Sequence, residues 1–255
     1  MLQDKVVIVT GASRGMGVHF VEALVAHGAR VAAFARPSAE LDAVAARHGD
    51  RIQAFACDVS RPDQVSRAVA AAAAAFGRLD ALINNAAIFH PFKLEEASDA
   101  DIDGHIGINL AGPMWCMRAA IPHLRATRGQ IVSISSESVR MPYPFLGVYA
   151  ATKAGLEGLC AAMREELRED GIRVTILRSG AVAGGSGGRD WDTAITARFF
   201  DTIARTGHGA FSGQPAQPQS MAAALINLLT LPSDINVDII EVRAANVGSP
   251  DRREG

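Results

Sequence analysis

"TGASRGMG", residues 10–17, follows the apolar run "KVVIVT" (5–10) and sets Gly11, Gly15 and Gly17 four and then two residues apart. Apolar residues resume at Val18, Val21, Leu24 and Val25 with the spacing of one helix face, so the unit reads as strand, glycine turn, helix. Glycine permits positive φ and lets a ligand approach backbone that a Cβ would screen, while the new helix opens with unpaired N–H groups. Those donors and the positive end of the helix dipole favour an anion, and a pyrophosphate is the usual one. A tight turn with glycines for packing is the other reading, since the spacing departs from G-x-G-x-x-G.

Short β-rich runs recur at 5–10, 30–35 ("RVAAFA"), 52–59 ("IQAFACDV"), 79–86 ("LDALINNA"), 130–136 ("QIVSISS"), 172–178 ("IRVTILR") and 237–243 ("VDIIEVR"). Helix-like segments lie between them, among them the alanine-rich stretch 68–76, the stretch 149–170 and "SMAAALINLLT" from Ser220. Continuous apolar strands alternating with amphipathic helices predict a parallel sheet covered on both faces. The expected fold is α/β, a Rossmann-like doubly wound parallel sheet of about seven strands. In that architecture ligands bind beyond the carboxyl ends of the strands.

The 255 residues are 49% hydrophobic, enough for a substantial core, and no Pro/Ser-rich linker divides them, so one domain over 1–255 is expected. With 25 basic and 27 acidic residues the net charge is −2, which argues against nucleic acid as a partner. No apolar run reaches a membrane span and the N-terminus lacks a signal-peptide pattern, so a cytoplasmic protein is expected. Cys57, Cys116 and Cys160 are widely spaced without C-x-x-C, and the seven histidines form no H-x-x-x-H pair, so neither a disulfide framework nor a bound metal is expected.

"VYAATKAG" places Tyr149 and Lys153 four residues apart, on one face of a helix. A free tyrosine, with a pKa of about 10, exchanges protons poorly near neutrality. A lysine cation within about 4 to 6 Å favours the phenolate, so the pair is expected to lower the tyrosine pKa into working range. The strand "QIVSISS" ends thirteen residues earlier, bringing a serine hydroxyl to the same rim as a donor to a substrate oxygen. Ser136 competes there with Ser133, Ser135 and Ser138, and strand alternation sends neighbours to opposite faces.

These motifs together resemble the short-chain dehydrogenase/reductase family along nearly the whole chain. "TGASRGMG" is similar to its T-G-x-x-x-G-x-G turn, "CDV" (57–59) to its adenine contact and "NNAA" (84–87) to its N-N-A-G, with "INL" (108–110), "SS" (135–136) and "YAATK" following in order. The resemblance implies that Ser136 positions the substrate oxygen and Tyr149 is the general acid or base. Lys153 holds the nicotinamide ribose and lowers the tyrosine pKa, and Asn109 anchors a proton-relay water. For the cofactor it implies the turn from Gly11 through Ser13, Arg14, Gly15 and Met16 to Gly17, then Asp58 and Val59 at adenine, Asn85, and Val182 near the nicotinamide. It also implies a homo-oligomer, a tetramer or a dimer. Ala87 stands where the family has glycine, narrowing the approach to the cofactor, and Ser179 stands where it has proline, loosening the start of the lid.

Cofactor choice depends on the end of the second strand. An NAD site needs a carboxylate there for the ribose hydroxyls. The matching position is Ala35, followed by Arg36, whose guanidinium suits a 2′-phosphate, with Arg14 as a second cation on the same side. NADP(H) is therefore expected over NAD(H). The rim residues Phe89, Phe92, Met141, Tyr143, Phe145, Trp191 and Phe199 suit an apolar or cyclic small molecule, and the glycine-rich entry to residues 184–213 suggests a mobile lid. The expected activity is hydride transfer between nicotinamide and a ketone or secondary alcohol. A cofactor-binding regulator without turnover is the alternative. A dehalogenase on the same fold is a further rival, disfavoured because such proteins abandon the glycines and replace the lysine by arginine.

Overall fold

The structure, a computed structural model, describes residues 2–184, 191–208 and 213–245. Seven strands form one parallel sheet: β1 (Val6–Thr10), β2 (Arg30–Ala35), β3 (Ile52–Ala56), β4 (Ala81–Asn84), β5 (Gln130–Ser136), β6 (Arg173–Ser179) and β7 (Ile239–Val242). Their order is β3-β2-β1-β4-β5-β6-β7, so the chain winds outward from β1 to β3, returns beside β1 as β4 and winds outward the other way. The crevice opens at that reversal, above the ends of β1 and β4. Alternation divides the strand residues between two cores. Val7 and Val9 pack with α1 (Met16–Ala26), α2 (Ala39–Ala46) and α8 (Pro218–Leu229). Val6 and Ile8 pack on the other face with α3 (Pro62–Phe76), α5 (Gly112–Arg125) and α6 (Gly147–Glu166). All five β1 residues are buried, and an aliphatic side chain taken fully from water contributes about 1.5–3 kcal/mol.

Two strands stop short of their apolar runs for local polar reasons. Beyond β3, the Cys57 N–H still bonds Ala35 O, but Asp58 Oδ1 then accepts from the N–H and the hydroxyl of Ser60 at 2.9 and 2.7 Å, turning the chain toward α3. Beyond β4, the N–H groups of Asn85 and Ala86 both donate to Thr10 Oγ1 at 3.0 Å, which pulls the chain off the ladder and onto the end of β1.

An acidic segment before residue 105 begins a helix. Ser98 and Asp101 form a reciprocal capping box at the start of α4 (Asp99–Ile106). This helix runs through a π-turn at Gly107–Ala111 directly into α5. Pro113 has no N–H to offer the Asn109 carbonyl four residues back, which explains why the α-helical ladder gives way there. A seventh helix, α7 (Thr193–Arg205), lies within the expected lid, whose residues 185–190 and 209–212 are outside the described set.

Candidate active site

The glycine turn has the close packing of its second sequence reading, and its helix start leaves room for the first. Gly11 and Gly15 have φ of +65° and +57°, where other residues are strained. A Cβ on Gly17 would collide with the Gly11 carbonyl oxygen, and one on Gly11 would lie 2.9 Å from the Ala86 Cα. Two of the three glycines thus let the chain's own segments touch. Gly15 caps α1 without a side-chain hydrogen bond, and the first turn carries no acid, which suits an anion there. Ser13 and Met16 are half-buried beside the turn, Arg14 is exposed, and Arg36 is exposed at the end of β2.

Several residues assigned to the cofactor also have partners within the chain. Asn85 Nδ2 donates to the carbonyls of Thr10 and Gly11 at 2.8 and 3.3 Å, fixing the shape of the turn. Asp58 is engaged with Ser60, and Val59 packs where a Cβ on Gly112 would come within 3.1 Å. Ala87 is exposed and is not among the residues with positive φ, so its backbone does not require the glycine of the family pattern. The loosening expected from Ser179 is not present. Its hydroxyl donates to Gly180 O at 2.9 Å, Val182 bridges Ala216, and Ala183 N–H and Ala216 N–H each close a 2.8 Å bond across that bridge.

The ends of β5 and α6 bring the reactive groups together. Ser136 hydrogen-bonds the Tyr149 phenol, and Lys153, only 3% exposed, donates from Nζ to Ile134 O at 2.8 Å with the ammonium 5.7 Å from the Tyr149 ring centroid. Two of the competing serines are engaged elsewhere, Ser135 donating to Glu157 Oε1 at 2.6 Å and Ser133 accepting from Asn84 Nδ2 at 3.3 Å, while Ser138 gives its backbone N–H to Ser136 Oγ at 3.2 Å. The electrostatics correct the sequence expectation. Burial raises the Tyr149 pKa, the Ser136 hydrogen bond lowers it only in part, and the Glu137 carboxylate raises it further. Burial also depresses Lys153 to about 8. Loss of water disfavours both the phenolate and the ammonium, so the protein alone keeps Tyr149 protonated at neutral pH.

Asn109 is fully buried in the π-turn. Its Oδ1 accepts from Ile88 N at 2.9 Å, while Nδ2 donates to Ile88 O at 2.8 Å and Thr152 Oγ1 at 3.3 Å. The side chain therefore ties the loop after β4 to α6. In the same loop Phe89 stacks on Tyr149 and Trp191 with centroids 5.6 and 5.2 Å apart, and Trp191 Nε1 donates to Phe89 O at 2.9 Å. Within the described part of the expected lid, Trp191 thus packs on the loop after β4, and Arg198 on α7 adds a bidentate pair with Glu96 at 2.8 and 3.0 Å. Phe145 and Phe199 complete the aromatic wall, whereas Phe92 turns to His105.

His105 escaped the sequence reading because a lone histidine carries no pattern. It is fully buried, accepts from His90 N through Nε2 at 3.1 Å and donates from Nδ1 to Asp101 O at 2.7 Å, which fixes a neutral ring. Burial lowers its pKa below the ordinary 6.5. The unfolded chain therefore binds this proton at a higher pH than the folded one, so the contribution is complete above about 6.5 and is lost as pH falls toward the folded pKa. In urea unfolding at pH 7.5 and 5.5, the wild type is expected to lose more stability than His105→Gln. An equal loss in both would remove His105 from the account.

The model of the family described as short chain dehydrogenase matches residues 5–192. An uncharacterized oxidoreductase of Staphylococcus aureus (strain MRSA252) is 30% identical over 245 residues, covering 95% of this chain and 98% of that protein. Among solved structures, a metagenomic short-chain oxidoreductase in complex with NADP superposes with a TM-score of 0.78 at 29% identity, covering 96% of this chain and 98% of that one. The 3-ketoacyl-(acyl-carrier-protein) reductase from Brucella melitensis, complexed with NADH, superposes with a TM-score of 0.81 at 29% identity, covering 95% and 98%. The chain belongs to the short chain dehydrogenase family and is an oxidoreductase of that family.

Proposed function

We propose that the protein reversibly transfers a hydride between NADP(H) and a ketone or secondary alcohol of apolar or cyclic shape. The observation that carries this reading is the meeting of the Ser136 hydroxyl, the Tyr149 phenol and the Lys153 ammonium at the carboxyl end of β5. The nicotinamide supplies or accepts the hydride. In reduction, Ser136 donates a hydrogen bond that holds the carbonyl oxygen, and Tyr149 gives that oxygen its proton as the carbon receives the hydride. Lys153 stabilises the phenolate left behind, and Asn109 holds the loop and helix across which the proton is restored. Oxidation reverses each transfer.

The residues of this chain fit such a cofactor. The uncapped start of α1 and the turn from Gly11 to Gly17, with Ser13, Arg14, Gly15 and Met16, would hold the pyrophosphate. Arg36 would take the 2′-phosphate, Asp58 and Val59 would flank adenine, and Asn85 and Val182 would border the nicotinamide. The aromatic wall of Phe89, Trp191 and Phe199 supports an apolar or cyclic substrate. Incubation with NADPH or NADH and a panel of cyclic and aromatic ketones, followed by nicotinamide absorbance, is expected to show turnover with NADPH. Cofactor binding without turnover on any ketone would favour the regulator instead.

A further inference from the structure

Three consecutive residues of β5 each bond to a different turn of α6. Ser136 meets Tyr149, Ile134 O accepts from Lys153, and Ser135 donates to Glu157. Tyr149, Lys153 and Glu157 are spaced i, i+4 and i+8, so they form one row along the helix. The third rung is neither a reacting group nor an ordinary surface acid. The Glu157 side chain is 11% exposed, and Arg178 of β6 clamps it with a fork, Nε to Oε1 at 2.9 Å and Nη2 to Oε2 at 2.6 Å. Arg178 continues through Nη1 to Glu241 Oε2 of β7 at 3.0 Å. One carboxylate thereby joins the strand that carries Ser136, the helix that carries Tyr149 and the two strands beside them.

We propose that Glu157 is a positioning residue for the reaction, holding the end of β5 in register with α6 through Ser135 so that the Ser136 hydroxyl and the Tyr149 phenol converge on one substrate oxygen. The inference rests on the proposed hydride transfer. Glu157 lies one further turn along the helix from Lys153 and acts through Ser135, without touching the reacting atoms itself. Ser136 reaches Tyr149 only if its strand end keeps its orientation, and the Ser135–Glu157 bond, beside that of Ile134 O to Lys153, anchors that end to the helix.

Removing one partner of a buried ion pair can unfold a protein, so the test centres on Ser135→Ala, which leaves the Glu157–Arg178 pair intact. Ser135→Ala is expected to lower kcat about tenfold or more while leaving the cofactor Kd within about threefold. Glu157→Gln, which keeps an acceptor for Ser135, is expected to retain more kcat than Glu157→Leu. The Ser135→Ala/Glu157→Gln double variant should fall no more than about twofold below the worse single one, because both act through the same bond. With only two tyrosines in the chain, [13Cζ]tyrosine labelling gives a readout that needs no turnover: Ser135→Ala should move the Tyr149 resonance and leave that of Tyr143 in place. If kcat and the Tyr149 resonance are both unchanged while only the melting temperature falls, Glu157 is structural and the inference is wrong. If the wild type turns over no ketone but the Tyr149 resonance still shifts, the reading of the reaction fails and the positioning contact stands.

Discussion

Replacing Tyr149 by Phe is expected to lower kcat for ketone reduction by at least about 10²-fold, the lower end of what a positioned general acid contributes. The change removes one oxygen. The ring keeps its place against Phe89 at 5.6 Å, and the helix keeps its Lys153 contact to Ile134 O, so cofactor affinity should be nearly intact. The loss is that of the proton donor, because burial holds the phenol protonated at neutral pH and no other acid is bonded to Ser136 among the described contacts. A loss confined to kcat, with the cofactor Kd preserved, identifies an interaction made in the transition state. Lys153→Ala should impair both, since the proposed mechanism has the ammonium serve the cofactor and the phenolate. Retention of more than about a tenth of wild-type kcat by Tyr149→Phe would show that the acid has been misassigned.

The second large effect concerns the cofactor. Ala35 closes β2 at 7% exposure and Arg36 follows it into solvent, with no hydrogen bond or ion pair among the described residues. A guanidinium in that position can close charge-assisted bonds on a 2′-phosphate, each worth about 1.5–3 kcal/mol, or roughly 10- to 150-fold in affinity. The Ala35→Asp/Arg36→Ala variant replaces the cation by an acceptor for ribose hydroxyls and a repulsive charge for the phosphate. Its ratio of kcat/KM values for NADPH and NADH is expected to reverse relative to wild type. A wild-type enzyme that uses NADH as well as NADPH would refute the role given to Arg36.

Much of this molecule is legible in its residues because strong local signals agree with the fold. The seven apolar runs all become strands, and Tyr149 and Lys153 share a helix face because four residues make nearly one turn. Strand and helix ends are less legible. β3 and β4 stop where Asp58 and Thr10 capture backbone N–H groups, contacts that depend on side-chain placement. The site itself divides in the same way. The nearness of Tyr149 and Lys153 is readable from spacing, but Glu157 gains its meaning from Arg178 on another strand, and His105 from an amide fifteen residues away. The direction of the Tyr149 pKa is not legible in the sequence for a related reason. The pair Tyr149–Lys153 is visible in sequence, whereas the burial that raises the phenol and depresses the ammonium is a property of the assembled cleft. Pro113 is the one signal that could have located the π-turn at Asn109 in advance.

Phe145, which completes the aromatic wall two residues before α6, has φ of +68°, a conformation that costs a bulky L-residue about 1 to 3 kcal/mol. Its own sequence does not favour that geometry. Phe92 N–H holds its carbonyl at 2.9 Å, and Arg198 of α7 lies over its ring at 5.3 Å. The run-up to the catalytic helix is consequently braced from outside, like a bent spring held at both ends by parts of the chain that border the cleft. The helix carrying Tyr149 therefore inherits its starting angle from the loop after β4 and from α7. Changes in either element reach the tyrosine through the backbone even where they touch neither cofactor nor substrate.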